Sequence, residues 1–214
     1  MVVDTREAIR DAAFRLFADQ GYAVTTVDEI VRAAGVARST FFRLFGSKEG
    51  VIFPEHDVLL QRLEERLFAS TAESALHAVS DAVRIVLFHY VAEGERARER
   101  YRLTSAVPAL RDRELVGSAQ YQRLFRRFIA DMGDGTDGAQ MRAELMAAAV
   151  VAAHNRVLRR WLRGECPDPQ VEIDAAMDAV LDLWRLDRPS PAVVVALPAE
   201  VSISEAISAL QGLR

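Results

Sequence analysis

The chain has 214 residues, of which 50% are hydrophobic and 27% are charged, and its net charge is −4. This composition is typical of a globular protein with one or two domains, and it excludes a uniformly basic protein that coats DNA. Cys166 is the only cysteine, which excludes a disulfide within the chain and a cysteine-rich metal site.

The N-terminal segment is charged from the start, because Asp4, Arg6 and Glu7 precede any apolar core of the kind found in a signal peptide. The longest apolar run in the chain, residues 145–153, is too short to span a bilayer. We therefore expect a cytoplasmic protein with no membrane partner.

A first helix is predicted from Thr5 to Asp19, followed by Gly21 as its end. Its apolar residues recur at i, i+3, i+4, i+7 and i+8, which places them on one face; they are Ile9, Ala12, Ala13, Leu16 and Phe17. Any amphipathic helix could show this pattern, and here we interpret it as a brace for the two helices that follow.

Residues 25–48 predict two short helices joined by a tight turn. Thr26 and Glu29 form a capping box that opens the first of them, and Gly35 permits a turn with positive φ. The second would run from about Ala37 to Phe45, which completes the layout of a helix-turn-helix. Residues 32–48 contain four basic side chains and no acid, so they form a local patch suited to DNA phosphates.

This pattern resembles the TetR-type one-component repressors from Arg6 to about Phe53. The matching segments are the first helix, the Thr25-Thr26 cap, the turn Ala33-Ala34-Gly35-Val36, the run Thr40-Phe41-Phe42 and the run Phe45-Gly46-Ser47-Lys48-Glu49. The resemblance implies an all-α fold, in which a three-helix DNA-binding head with a helix-turn-helix precedes a six-helix ligand-binding and dimerisation domain.

The resemblance also implies which residues contact DNA. Residues 37–43 would enter the major groove, where an arginine can read guanine, and Thr26 and Lys48 would contact phosphates. The complete set is Thr26, Ala37, Arg38, Ser39, Thr40, Phe42, Arg43 and Lys48. Phe42 and Leu44 stand where the family usually carries polar rings, so binding would rely on the basic residues. Phe41 and Phe45 are expected to pack on the first helix.

Ser47 is a candidate cap for a fourth helix, in which Pro54 would lie about two turns from the start. A proline at that depth removes a backbone hydrogen bond and clashes with the preceding turn, so we expect a kink or a break. Such a bend could serve as a hinge or have no function.

Beyond residue 56 the pattern is helical, with segments near 56–69, 73–92, 95–106, 112–131, 138–163 and 170–186. Six helices after a three-helix head give nine. We therefore predict a helix-turn-helix domain over residues 1–50, an effector-binding and dimerisation domain over 51–187, and a non-standard C-terminal extension over 188–214. The extension combines a strand-like run at 192–197 with a helix that opens at Ser202.

The last two helices of the second domain are unusually apolar. The resemblance implies that they form a four-helix interface in a homodimer, which would bind a palindromic operator. The candidate interface residues are Ala148, Val151, Ile173, Met177, Val180, Leu181 and Trp184. Burial of this stripe within one subunit is the alternative.

The resemblance further implies a pocket for a small-molecule effector in the second domain. Apolar faces suggest a lining of Phe53, Leu60, Val83, Leu87, Tyr90, Tyr101, Leu103, Tyr121, Phe125 and His154. Such a lining favours a hydrophobic or amphiphilic effector, and residues 107–111 resemble a segment of members that respond to a fatty acyl thioester. His154 and Asn155 are either hydrogen-bonded core groups or a polar handle inside this pocket.

The chain lacks a glycine-rich phosphate loop, a nucleophile elbow and a His-Glu-x-x-His motif. We expect no catalytic site, no cofactor and no metal. The hypothesis is a ligand-responsive transcriptional repressor that binds double-stranded operator DNA. Its rivals are a helical small-molecule carrier or enzyme that has lost DNA binding, which the apolar Phe42 and Leu44 favour, and an adaptor that acts through the C-terminal extension.

Overall fold

The structure is a computed structural model that describes residues 4–53, 56–71 and 75–186. These ranges contain ten α-helices and no strand, which confirms the predicted all-α fold. The helices are α1 (Thr5–Gln20), α2 (Val27–Ala34), α3 (Arg38–Phe45), α4 (Lys48–Ile52), α5 (His56–Phe68), α6 (Ala75–Glu93), α7 (Glu95–Ala106), α8 (Pro108–Asp131), α9 (Asp137–Leu162) and α10 (Pro169–Leu186).

The chain divides into two compact units, residues 1–182 and residues 183–214. The first unit contains α1 to α9 and most of α10. The C-terminal extension predicted over 188–214, with its strand-like run and its helix, lies outside the described residues.

Helices α1 to α4 form the head, which has its own apolar core. The predicted face of α1 meets α2, α3 and α4 there, and Ile9, Ile30, Phe41 and Ile52 are completely buried. Phe41 and Phe45 pack on this core as predicted, whereas Phe42 is exposed.

The head's turns follow from local chemistry. The Thr26 Oγ1 accepts from the Glu29 amide at 3.2 Å, and the Glu29 carboxylate accepts from the Thr26 amide at 2.7 Å, so the capping box is present. Gly35 ends α2 with φ 67° and ψ 33°, the left-handed conformation that glycine adopts without strain. The Ser47 hydroxyl caps α4 by accepting from the Gly50 amide at 3.1 Å.

The count of nine helices is wrong for the described residues, because α4 is a separate helix of five residues. It ends at Ile52 and α5 begins at His56, which confirms the break expected near Pro54; Pro54 itself lies outside the described residues. Helix α8 begins at Pro108, earlier than the predicted start at 112, because a proline at the first helical position sacrifices no hydrogen bond.

Helices α5 to α10 form the body, in which α8 and α9 pack side by side. The first turn of α8 reaches the head, where Leu110 is a completely buried member of the head's core. Within the described ranges, no helix combines the length and the hydrophobicity of a membrane span.

Candidate functional site

Helix α3 presents an exposed polar face over a buried apolar one. Phe41 anchors the helix in the core of the head, which leaves the predicted DNA-contacting side chains outside. Ala37, Arg38, Ser39, Phe42 and Arg43 are exposed, as is Thr26 at the start of α2, whereas Thr40 and Lys48 are half-buried.

Arg38 is held loosely on the surface of the head. Its guanidinium pairs with the Asp28 carboxylate, and it lies 5.1 Å from the centre of the Phe42 ring. The two charged side chains are 57% and 62% exposed, and exposed pairs of this kind contribute little stability. Arg38 can therefore leave Asp28 for a base edge or a phosphate at small cost.

A surface groove of about 400 Å³ separates the start of α1 from α3. Ala37, Thr40 and Arg43 line it from the α3 side, and Arg6 lines it from the α1 side with its guanidinium 5.2 Å from the Phe45 ring centre. Arg6 is not among the DNA contacts predicted from the sequence. The sequence shows its charge, but only the packing of α1 places that charge beside α3.

Lys48 braces the corner between α1 and α2. Its ammonium donates to the carbonyl oxygens of Tyr22 at 2.7 Å and Thr25 at 2.8 Å, and it lies 4.1 Å from the centre of the Tyr22 ring. The neighbouring Glu49 accepts from the Tyr22 hydroxyl at 2.5 Å. Burial acts to raise the pKa of Glu49, but this hydrogen bond and others outweigh it and lower the pKa. Two of the three Lys48 donors are thus used inside the head.

A cavity of about 190 Å³ lies in the body between α5, α6, α8 and α9. Four of the ten predicted pocket residues line it: Phe53, Tyr90, Tyr121 and His154. A smaller space of about 30 Å³ adjoins it and shares Phe53, His56, Tyr90 and Tyr121 with it. Of the other predicted lining residues, Val83, Leu87 and Phe125 are buried, Leu60 and Tyr101 are half-buried, and Leu103 packs against the head.

His56 fastens the first residue of α5 to α8. Its Nε2 donates to the Gln120 Oε1 at 2.5 Å, and its Nδ1 accepts from the Tyr121 hydroxyl at 3.2 Å. Gly117 makes room for the ring, because a Cβ there would lie 3.0 Å from a carbon of the imidazole. The sequence offered no signal for this contact, since 64 residues separate His56 from Gln120.

His154 is buried in the cavity wall and only 8% exposed. Burial lowers its pKa to about 4, against a smaller opposing effect of Asn155, so the imidazole is neutral at pH 7. Its Nδ1 lies 3.2 Å from the Asn155 Oδ1, while its Nε2 has no hydrogen-bond partner. His154 therefore lines the cavity as a buried, neutral imidazole in hydrogen-bond contact with Asn155.

A buried ion network joins the small adjoining space to the head. Glu93, at the end of α6, accepts from Arg10 of α1 at 2.9 Å and from Arg100 of α7 at 2.6 Å. The three side chains are 13%, 5% and 8% exposed, respectively. Arg96 of α7 adds pairs to Glu7 and Asp11 of α1. The alternating charges of residues 93–102 are by themselves typical of a solvated helix face and give no sign of this network, because the partner charges lie about 85 residues away.

Two apolar connections accompany the ion network. Phe53 both lines the cavity and packs against the core of the head. Helix α8 carries Leu110 in that core and Tyr121 in the cavity wall, about 16 Å further along a continuous helix. The cavity wall and the core of the head therefore share Phe53 and a continuous helix.

The predicted dimer residues are mostly inside the subunit. Val151, Ile173, Met177 and Val180 are buried, Ala148 and Leu181 are half-buried, and the Trp184 side chain is not among those described. The exposed apolar residues on α9 are instead Met141 and Leu145, which are 59% and 62% exposed. With Ala148 and Ala152 they follow helical spacing, so we name these four residues the α9 stripe.

Among the described residues, no group of histidine, cysteine and acidic side chains could hold a metal ion. Cys166 is buried, and burial raises the pKa of its thiol to about 11. The thiol is therefore protonated at neutral pH and is a poor nucleophile.

Comparisons with known proteins identify both parts of the chain. Residues 9–53 match the family model "Bacterial regulatory proteins, tetR family", and residues 73–189 match the model "MftR C-terminal domain". MftR of Mycobacterium tuberculosis, named a mycofactocin biosynthesis transcriptional regulator, is 29% identical over 82% of this chain and 89% of its own length. The HTH-type transcriptional regulator TcmR of Streptomyces glaucescens is 32% identical over 85% of this chain and 83% of its own.

Solved structures share the fold at low sequence identity. NalD, the secondary repressor of the MexAB-OprM multidrug efflux pump in Pseudomonas aeruginosa, gives a TM-score of 0.58 at 20% identity over 83% of this chain and 95% of its own. SmeT of Stenotrophomonas maltophilia, in its complex with triclosan, gives 0.59 at 22% identity over 92% of this chain and 99% of its own. These similarities show the all-α fold.

Proposed function

The chain belongs to the TetR family of bacterial transcriptional regulators, and we propose that it is a repressor that binds a palindromic operator as a homodimer and releases it when a small molecule enters the body cavity. The DNA-binding part of the proposal rests on the exposed face of α3. Arg38 and Arg43 project there from a helix that Phe41 fixes in the head. Such a helix can enter a major groove without unfolding the core beneath it.

The salt dependence of duplex binding tests this part directly. A protein that neutralises phosphates releases counterions, so its affinity falls steeply as salt rises. We expect a steep slope for the wild-type chain and a shallower one for Arg38→Ala combined with Arg43→Ala. Arg123→Ala combined with Arg126→Ala on α8 is the control, since both of these arginines are exposed on the body. Equal slopes for the two double variants would contradict the proposal.

The ion network around Glu93 supports effector-controlled release. A ligand shifts an equilibrium only through its different affinities for two states, and residues shared by the cavity and the head offer one physical source of such a difference. Glu93 and Arg100 line the small adjoining space, and Glu93 also holds Arg10 of the head. A ligand that moves the cavity wall would therefore disturb the packing of α1. In this proposal, Glu93→Gln weakens the release of DNA by whichever compound releases it from the wild-type protein.

The α9 stripe supports a homodimer. A two-fold dimer places the same surface of each subunit against its copy, and exposed apolar residues on a regular helix suit such an interface. Met141 and Leu145 provide them. In this proposal these residues replace the more deeply buried ones that the family resemblance implied.

A carrier or enzyme without DNA binding remains the rival function, favoured by Phe42 and Leu44. Phe42 is exposed, and its ring offers no hydrogen bond to a phosphate. The salt-dependence experiment separates the two, because a carrier of this charge should show no salt-dependent affinity for duplex DNA.

A further inference from the structure

Phe42 is a large apolar side chain that α3 leaves outside the core of the head. It is 41% exposed, whereas the preceding Phe41 is completely buried. The two rings meet edge to face with their centres 5.5 Å apart, and the Arg38 guanidinium lies 5.1 Å from the centre of the Phe42 ring. Phe42 therefore has a fixed base on the helix and an accessible apolar ring beside a positive charge.

The exposed side of α3 has a charge that suits DNA. Its exposed residues are Arg38, Ser39, Phe42 and Arg43, and the helix contains no acidic residue. Arg38 pairs with Asp28 of α2, and Phe42 lies one helical turn further along the same side of α3. Arg43 lines the groove on the side of α1. Phe42 is thus the apolar member of a surface whose other side chains are polar or basic.

A phenyl ring can distinguish thymine from the other bases in the major groove. Thymine presents an apolar 5-methyl group there, whereas the edges of adenine, guanine and cytosine present hydrogen-bond donors or acceptors. The Phe42 ring has no such group, so placing it against one of those edges would remove water without replacing its hydrogen bonds. Contact with the methyl group instead removes apolar surface of both partners from water, which is favourable.

We propose that the Phe42 ring contacts the 5-methyl group of one thymine in each half-site of the operator. This inference rests on the proposed function, because it takes α3 as the helix that enters the major groove. It adds a base that the protein distinguishes and the residue that distinguishes it. The lack of a hydroxyl on the Phe42 ring then changes what the side chain reads and does not count against DNA binding.

Substitution of thymine by uracil tests the contact, because deoxyuridine lacks only the 5-methyl group and still pairs with adenine. The probe is the palindrome that wild type enriches from a randomised duplex library, with uracil replacing each thymine in turn. At one symmetric position, uracil should weaken wild-type binding about 4-fold in one half-site and about 15-fold in both, the effect of one buried methyl group at each. At the same position, 5-methylcytosine paired with guanine should bind about 4-fold more tightly than cytosine paired with guanine.

Phe42→Ala should bind the thymine and uracil duplexes equally at that position. Val24→Ala, which changes a 63% exposed apolar residue outside α3, is the control and should keep the wild-type preference. The uracil measurements on wild type do not depend on whether a variant folds. If wild type enriches a palindrome that lacks thymine or tolerates uracil at every thymine, or if Phe42→Ala keeps the preference, the contact is refuted while DNA binding stands. If wild type enriches no duplex at low salt, the proposed function fails and the thymine contact fails with it.

Discussion

Replacing Glu93 with glutamine should destabilise the protein severely although the two side chains have nearly the same shape. The carboxylate accepts from Arg10 at 2.9 Å and from Arg100 through both oxygens at 2.6 Å, and all three side chains are largely buried. Glutamine takes from the buried Arg100 the carboxylate that it pairs with, takes from Arg10 one of its two carboxylate partners, since Glu7 stays at 3.0 Å, and turns an NH₂ group toward a guanidinium. Breaking a buried pair in this way costs about 3–5 kcal/mol.

The assay is thermal unfolding at neutral pH. For a domain of this size, 1 kcal/mol shifts the Tm by about 2–4 °C, so Glu93→Gln should lower it by about 6–20 °C. Glu95→Gln is the matched control, because Glu95 pairs with Arg98 and Arg102 at the surface and is 57% exposed. Exposed ion pairs contribute at most about 1 kcal/mol to the free energy of unfolding, so the Tm of the control variant should fall by less than about 4 °C. Equal Tm values for the two variants would refute the view that Glu93 holds the head to the body.

Three further predictions concern other parts of the molecule. In sedimentation experiments, Leu145→Glu should convert the dimer into a monomer. Val58→Glu, which changes a 50% exposed apolar residue on α5, should leave the dimer intact. If the Leu145→Glu variant remains a dimer, the α9 stripe is not part of the interface. The pKa of His154 lies below its usual 6.5 in the folded protein, so stability present above about pH 6.5 should be lost as the pH falls toward 4. Between about pH 7.5 and 5, the free energy of unfolding should fall by about 2 kcal/mol more for wild type than for His154→Gln. Parallel pH profiles of the two proteins would contradict the burial of a neutral imidazole. Lys48→Met should lower the Tm by about 3–6 °C, because the hydrogen bonds to the carbonyl oxygens of Tyr22 and Thr25 are lost. If the Tm is unchanged and only the salt dependence of DNA binding becomes shallower, Lys48 contacts DNA phosphate and does not stabilise the head.

Local features of the head could be predicted from the sequence because short-range chemistry determines them. The capping box of Thr26 and Glu29 spans three residues, and the left-handed Gly35 is adjacent to the helix that it ends. The burial of Phe41 and the exposure of Phe42 follow from the 3.6-residue period of one short helix.

The body was harder to predict, because its important contacts connect residues far apart in the chain. Arg10 and Glu93 are 83 residues apart, and His56 and Tyr121 are 65 apart. Periodicity identifies an apolar face but does not say which partner covers it. Ile173 and Met177 lie on the stripe that the resemblance assigns to a dimer interface, and both are buried within one subunit, which was the alternative. The same limitation placed Leu103 in the pocket rather than against the head.

Selection from a randomised duplex DNA library tests the central claim most directly, with wild type compared with Arg43→Ala and with Arg123→Ala as a control of equal charge on the body. If α3 reads DNA, wild type and the control should enrich the same palindrome, and Arg43→Ala should bind it more weakly by about 1–3 kcal/mol with relaxed preference at one position of each half-site. If wild type enriches no duplex at low salt, or if Arg43→Ala and Arg123→Ala enrich the same sequence with the same affinity, the exposed face of α3 is not the DNA-reading surface.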